Sequence, residues 1–384
     1  MAASVFQYLV SLTADPTPTR TLGHIGLCRD SEGNPVCSAG NSAVVFKAEA
    51  GGRICKLRCY TRSKCALREI YGPRLYPAEL YIFTDKGGEW ADIVVEEWYE
   101  GVSLQCAAAR SLGIEGDMRR LAQSFELLAA QLLAGEWAHG DLKPDNIIVS
   151  PDGTLHLIDF DALYRPGFTP DDCDEWGTRA FQHPLREQGI FDKSIDDYPV
   201  ALIAVALHAL ALEPQLYSHA QQGDTLMIDP ALAVAGRDPV LAHIEELFAR
   251  RGDALHYRMA RMLHSPLPHL SGLGRLVEFA ARGARQPQGK LSLAYEEGLW
   301  GYADSEGFVI PPLYGQAFEF SDSLAAVEAG GRWHYIDTQG RVRIDCSACD
   351  AITPFRNGRA CKIISGRRIP IDPAGREIEA EDES

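Results

Sequence analysis

The stretch His139-Gly-Asp-Leu-Lys-Pro-Asp-Asn146, followed by Leu157-Ile-Asp-Phe-Asp161, constrains this chain more than any other. Between its two halves lie two short β-type runs, 147–149 and 154–158, on either side of a Pro151-Asp-Gly153 turn. A hairpin there brings Asp159 back opposite Asn146. The fold must therefore gather a carboxylate (Asp141), an ammonium (Lys143), an amide (Asn146) and a second carboxylate (Asp159). Phosphoryl transfer from a nucleotide needs little covalent help; it needs a positioned hydroxyl, neutralised phosphate charge and held magnesium. Asp141 is expected to orient and deprotonate the attacking hydroxyl, and Lys143 to offset charge on the transferred group. Asn146 and Asp159 are each expected to hold Mg2+ through hard oxygen atoms.

These residues resemble the catalytic loop of the eukaryotic-like serine/threonine protein kinases, H-G-D-L-K-P-D-N with D-F-D. The resemblance implies an α+β, bilobal protein-kinase-like fold with a β-rich N-lobe over about 1–98 and a helical C-lobe over about 99–285. It also implies ATP and Mg2+ as cofactors and transfer of the γ-phosphate to protein hydroxyls. Lys143-Pro144 after the aspartate favours a protein acceptor. His139-Gly-Asp141 and Asp159-Phe-Asp161 also resemble aminoglycoside- and choline-type phosphotransferases, which rarely keep Lys143 or a Gly177-Thr178 segment. A third reading is a pseudokinase scaffold, supported by a depleted glycine loop and by Leu185.

The N-terminal part supplies the nucleotide side by the same resemblance. Residues 38–45 stand where the family has G-x-G-x-x-G-x-V, keeping only Gly40; Ser38 and Ala43 replace the outer glycines, and Val45 would cap the adenine. Gly51-Gly52 turn into the alternating run 53–60, a strand pattern with Ile54, Lys56 and Arg58 on one face. Lys56 is the residue expected to reach the α- and β-phosphates, Lys47 being the solvent-facing rival. A helix over 62–71, ended by Gly72-Pro73, offers Glu69 as the carboxylate for Lys56. Strands over 80–84 and 93–98 flank a Lys86-Gly-Gly88 hairpin and run into a hinge-like segment, where backbone groups near Glu97 and Tyr99 would bond the adenine edge and Glu96 points to a back pocket.

Met118, Leu121, Phe125, Leu128 and Leu132 recur at helical spacing with one buried face. Residues 162–185 are the activation segment by resemblance: Gly177-Thr178 parallels the family's G-T, and Thr178 would bond Asp141 and Lys143. Leu185 stands where the family has glutamate, so the anchoring ion pair is missing or moved to Glu187. The acidic run 171–175 is expected to be a solvated loop. Asp196 matches the aspartate that steadies the catalytic loop's backbone, and the apolar run 199–212 is expected to be a buried core helix, shorter than the roughly 20 residues a bilayer needs. Helices over 239–251, 254–263 and 273–282 close this part.

After a linker at 286–291 the pattern changes. Leu299-Trp-Gly-Tyr-Ala-Asp304 returns as Arg332-Trp-His-Tyr-Ile-Asp337, a period of 33 residues from Trp300 to Trp333. Phe320-Ser-Asp-Ser-Leu324 is echoed at Phe355-Arg-Asn-Gly-Arg359, and a third, eroded copy ends at Ile371-Asp372. Short alternating runs between glycine turns predict stacked hairpins with Trp300 and Trp333 as matching anchors. The pattern resembles the WG repeats, with His334 for the second glycine, and implies an all-β module over 292–384 that binds another protein. Cys346-x-x-Cys349 lacks a second ligand pair and does not read as zinc-binding.

Bulk properties narrow the partners. A formal net charge of −16 disfavours nucleic acid and anionic lipid, so neither nucleic acid nor membrane is an expected partner. Scattered cysteines, ten in all, and a first decad without a basic, apolar leader fit reduced thiols in a cytoplasm.

Overall fold

Helix α1 (Val5–Leu12) starts at a capping box, where the Ser4 side chain accepts from the Gln7 N–H and the Ser4 N–H donates to the Gln7 side chain at 2.8 Å. Its Tyr8 and Leu12 pack on an antiparallel sheet of β1 (Ile25–Leu27), β2 (Cys37–Ala39), β3 (Ala43–Ala50), β4 (Arg53–Tyr60), β5 (Leu75–Thr84) and β6 (Gly87–Glu97). The order is β1-β3-β4-β6-β5, with β2 also on β3. Phe46, Leu57, Ile82 and Ile93 fill the core under α1. Between β4 and β5 lies α2 (Leu67–Tyr71). The computed structural model describes residues 3–84, 87–114, 116–219 and 226–379, and in 187 and 188 the backbone alone. Lys86, expected in the β5–β6 turn, lies outside the described residues.

The helix expected over 62–71 begins only at Leu67. Ala66 sits in the left-handed region at φ 51°, and the residues before it are held elsewhere. Cys65 N–H donates to Asp174, and Lys64 pairs with Glu175, which also accepts from Ser42 Oγ at 2.6 Å. The acidic run, expected to be solvated, thus has an internal job, and tertiary bonds to it override local helix propensity.

The chain is mixed α and β with several antiparallel sheets, and divides into two compact units. Residues 1–101, 159–163 and 167–175 form the first; residues 102–158, 164–166 and 176–384 form the second. The second opens with β7 (Val102–Ser103), α3 (Leu104–Ser111) and α4 (Asp117–Ala134). In α4 the stripe Met118, Leu121, Phe125 and Leu132 is buried as its spacing requires, while Leu128 is half-buried. β8 (Ile147–Val149) and β9 (Leu155–Leu157) form the expected hairpin, with β7 on the far side of β8. Helix α5 (Asp197–Leu212) runs through the core: every residue from Asp197 to Leu207 is buried. Extended by the 3-10 turn before it, the run Lys193–Leu212 is long and apolar enough to cross a membrane, but 83% of its apolar window is buried inside this unit. Around it stand α6 (Pro230–Val234), α7 (Pro239–Arg251), α8 (Ala254–Met262) and α9 (Leu273–Arg282). Asp238 caps α7 by accepting from Val240 and Leu241, with Pro239 at the first helical position.

The repeats follow as hairpins: β10 (Ser292–Glu296), β11 (Leu299–Asp304) and β12 (Gly307–Tyr314); then β13 (Gln316–Ala317), β14 (Ala325–Ala329), β15 (Arg332–Ile336) and β16 (Val342–Cys346); then β17 (Ala351–Ile352), β18 (Ala360–Ile364) and β19 (Arg367–Ile371). The bonding repeats from copy to copy, the tyrosines 33 residues apart and their partners 35. Tyr302 Oη donates to Phe318 O at 2.7 Å, and Tyr335 Oη to Thr353 O at 2.7 Å. Tyr302 packs on Phe320 with ring centroids 4.6 Å apart, and Tyr335 on Phe355 at 4.8 Å. The third copy keeps the turn: Gly375 N–H donates to Asp372 O at 2.8 Å, as Gly340 does to Asp337 O at 2.9 Å.

Of the two expected anchors, Trp333 is a core residue and Trp300 is not fully one. Tyr302 and Tyr335 are fully buried, whereas Trp300 is only half-buried; Trp333 is buried in the same cluster as Tyr335. A tyrosine reaches a backbone carbonyl with its hydroxyl while burying its ring, so it fixes both depth and register. The tryptophan–glycine step is explained by β12. A Cβ on Gly301 would lie 2.6 Å from Ile310 O, where the β11–β12 register is bulged. His334 faces Asp345 across a regular stretch of β15–β16, so a side chain is tolerated. Tyr302, Ile310 and Tyr314 share one core with Leu276 and Val277 of α9, so the first hairpins and the helices are packed as one body. Within the segment expected as a linker, Gln288 N–H donates to Asp304 at 2.6 Å, beside the bond from Arg285 Nη1 to the same carboxylate at 2.8 Å.

Candidate functional site

In the second unit the loop at 139–146 is held from below by a buried carboxylate. Asp196, at the start of α5, accepts from the backbone N–H groups of His139 and of Gly140, the latter at 2.9 Å. Its pKa is raised, burial outweighing the bonds and the His139 and Arg186 charges that favour the carboxylate. His139 is itself buried, with Nε2 2.9 Å from Ile158 O.

Above this floor, Asp141, Lys143, Asn146 and Thr178 form one network. Asp141 Oδ1 accepts from the Thr178 N–H at 2.5 Å, and Oδ2 accepts from Asn146 Nδ2 at 3.0 Å. Asn146 Nδ2 also donates to Asp141 O at 2.8 Å, which leaves its amide oxygen as the atom a hard cation could take. Lys143 Nζ donates to Thr178 Oγ1 at 2.7 Å and lies 3.3 Å from Asp141 Oδ2. Gly177 makes this approach possible. It sits at φ 80°, and a Cβ there would lie 2.4 Å from Gly140 O. Gln182, which the sequence did not mark, donates to the same Gly140 oxygen at 3.1 Å. Leu185 bonds His183 through its N–H at 3.1 Å; the side chain of Glu187 lies outside the described residues.

In the first unit Lys56 is buried on β4, and its Nζ lies 3.1 Å from Glu96 Oε2. Glu69, expected as that partner, sits in the first turn of α2. Glu96 takes the role because β4 and β6 pair with Lys56 directly opposite Glu96; Arg74 lies 3.3 Å from its other oxygen. Burial, then the neighbouring Arg58 charge, lowers the Lys56 pKa, against the pull of Glu96. Lys47, directly opposite Lys56 on β3, pairs with Glu100 and lies 4.9 Å from the centre of the Trp98 ring.

Arg58 was the residue missed. Its Nη1 lies 2.7 Å from Asp159 Oδ1 and 2.9 Å from Asp161 Oδ2. Asp161 is buried and also accepts from Tyr60 Oη at 2.8 Å and Tyr71 Oη at 2.5 Å. Asp159 stands at φ 68°, a conformation non-glycine residues adopt at a cost of order 1–3 kcal/mol and keep where the surroundings impose it. The signal was present in period 2: Lys56, Arg58 and Tyr60 share a face of β4. Of the other nucleotide-side candidates, Gly40 and Val45 lie at the tip and base of the β2–β3 hairpin, Glu97 ends β6, and Tyr99 is bonded to Glu97, which with burial raises the tyrosine's pKa.

The family described as WG containing repeat matches residues 300–333 and 335–361. The β11–β18 hairpins are therefore WG repeats. No curated protein matches the chain.

Proposed function

We propose that this chain is an ATP- and Mg2+-dependent serine/threonine protein kinase, with a bilobal kinase-like domain over about 1–285 and a WG-repeat surface over 292–384 that engages a protein partner or substrate. The observation that carries this reading is the Asp141–Asn146–Lys143–Thr178 network, a carboxylate, amide and ammonium ordered around one another by direct bonds. In this role Asp141 receives the proton of the attacking hydroxyl, and Lys143 offsets charge on the transferred phosphoryl group. Asn146 and Asp159 hold Mg2+. Lys56, kept in place by Glu96, meets the phosphates; Gly40 and Val45 cover the nucleotide, and Glu97 and Tyr99 border the adenine. The pairing of Lys143 with Thr178 favours a protein acceptor over a small molecule. The ten free thiols support a reducing, cytoplasmic setting.

The test is transfer from labelled Mg-ATP into a mixed protein extract and, separately, into a metabolite panel. Protein labelling is expected, falling by on the order of 10²–10⁴ in Asp141→Ala, and also in Asp159→Asn. Labelling confined to metabolites would establish the small-molecule reading instead. Equal labelling by parent and variants would assign the activity to a contaminant.

A further inference from the structure

Away from the residues discussed so far, three helices of the second unit turn one buried carboxylate and two imidazoles onto a single point. Glu126 comes from α4, His208 from α5 and His256 from α8. His208 Nε2 lies 2.8 Å and His256 Nε2 2.9 Å from the same oxygen, Glu126 Oε1. The donor atoms of the three residues all fall within 4.8 Å of one another. The two rings are stacked, with centroids 3.6 Å apart and planes at 23°.

Protons on both Nε2 atoms let the two rings donate to Glu126 Oε1, His256 at 2.9 Å. Two protonated imidazoles at stacking distance repel. A neutral His208 carrying its proton on Nε2 avoids that repulsion. His208 Nε2 is buried and has no aligned hydrogen bond despite its short distance to that oxygen. A metal ion that displaces those protons would take the same three atoms, each then turning a lone pair to positive charge.

The outer contacts fit metal ligation. His256 Nδ1 lies 2.7 Å from Asp253 Oδ2, the residue that also caps α8. Donation from Nδ1 to that carboxylate leaves Nε2 as the ligand nitrogen, the usual second contact of a metal-bound histidine. Bonds of ~2.1 Å at right angles put neighbouring ligand atoms about 3.0 Å apart, close to both nitrogen–oxygen distances here. A cavity of about 400 Å³ opens beside the cluster, bordered by Arg119 and Gln123 of α4 and by Leu212, Leu255 and Phe279. Three protein ligands leave coordination positions for water or a small anion from that side.

We propose that Glu126, His208 and His256 bind a first-row divalent transition metal ion, with Asp253 orienting His256. Imidazole and carboxylate donors suit Zn2+, Fe2+, Co2+ or Ni2+ rather than Mg2+. The site is independent of the nucleotide chemistry, drawing on none of the same residues. The competing ligands are Cys346 and Cys349, both buried, with the Cys346 thiol pushed up to about 12, chiefly by burial.

Full-length protein, stripped with chelator and free of nucleotide, is titrated with Zn2+ and with Co2+ alone. One equivalent is expected to bind. X-ray absorption of the zinc-loaded parent should show nitrogen and oxygen at ~2.0–2.1 Å with imidazole scattering and no sulfur shell near ~2.3 Å. His208→Ala and His256→Gln should each weaken binding at least a hundredfold, whereas Cys346→Ser with Cys349→Ser should not change it. No uptake by the parent, a sulfur shell, or unchanged affinity in both histidine variants would overturn the assignment. The absorption experiment needs no variant, so a misfolded substitution cannot obscure the answer.

Discussion

Arg58 grips Asp159 at 2.7 Å while the same nitrogen holds Asp161 at 2.9 Å. Two carboxylates two positions apart in sequence thus share one buried guanidinium, and the first of them, Asp159, has a left-handed backbone. Removing the cation leaves Asp161 buried with two tyrosine hydroxyls and only the more distant Lys64 ammonium, 3.9 Å away. Arg58→Ala is expected to destabilise the protein by about 3 kcal/mol, the low end for breaking a buried pair. Urea unfolding of the parent and variant measures it. An effect under about 0.5 kcal/mol would show that the hydroxyls and Lys64 suffice.

Glycine positions separate conformational need from mere smallness. Gly177 combines φ 80° with a Cβ position 2.4 Å from a backbone oxygen, whereas a Cβ on Gly40 would meet Ala43 O at an ordinary 3.6 Å. Gly177→Ala must push Thr178 away from Asp141 and is expected to lower phosphotransfer at least about tenfold, a misplacement effect. Gly40→Ala should stay within about twofold, since it meets no steric barrier. Initial rates at saturating Mg-ATP, with circular dichroism to confirm folding, test the pair. Equal losses in both would place the requirement somewhere other than the Thr178 bond.

Lys56 provides a test of partner choice. Its carboxylate is Glu96 across the β4–β6 ladder, not Glu69 on the helix. Glu96→Gln is expected to raise the KM for ATP about tenfold, because a buried ammonium loses its charged partner and its preferred position. Glu69→Gln should change it less than about twofold. A larger effect at Glu69 would mean that the ion pair rearranges when nucleotide binds.

What the sequence made legible was what depends on neighbours along the chain. The stripe of α4, the bounds of α7 and α9, the β8–β9 hairpin and the 33-residue spacing of the tyrosines are all set by local spacing and turn chemistry. Glu96 was missed as the lysine's partner because cross-strand register is fixed by the pairing of distant segments. The start of α2 was misjudged because Lys64 and Cys65 bond residues 174–175, more than a hundred positions away. Glu126, His208 and His256 carry no spacing signature at all: helix packing alone brings them together. In the repeats, the tryptophans drew attention by size, yet the register is held by the tyrosine two residues on.

That last point gives a prediction in which the two copies act as controls for each other. Tyr302→Phe and Tyr335→Phe each delete one buried hydroxyl bond to a carbonyl and leave the ring in place. Each should cost about 1 kcal/mol, with more if the carbonyl is left dry. Gly301→Ala introduces a Cβ 2.6–2.7 Å from the backbone of Ile310 and Pro311, which cannot retreat without breaking the β12 bulge. It is expected to cost more than either hydroxyl deletion, on the order of 1–3 kcal/mol from overpacking. His334→Gly, the reverse change at the matching site, removes a buried ring that lies beside Gly252 but forces no atom into the backbone. It should lower the melting temperature less than Gly301→Ala does. If the two glycine-site variants melted alike, the bulge would not be what demands glycine in the first repeat.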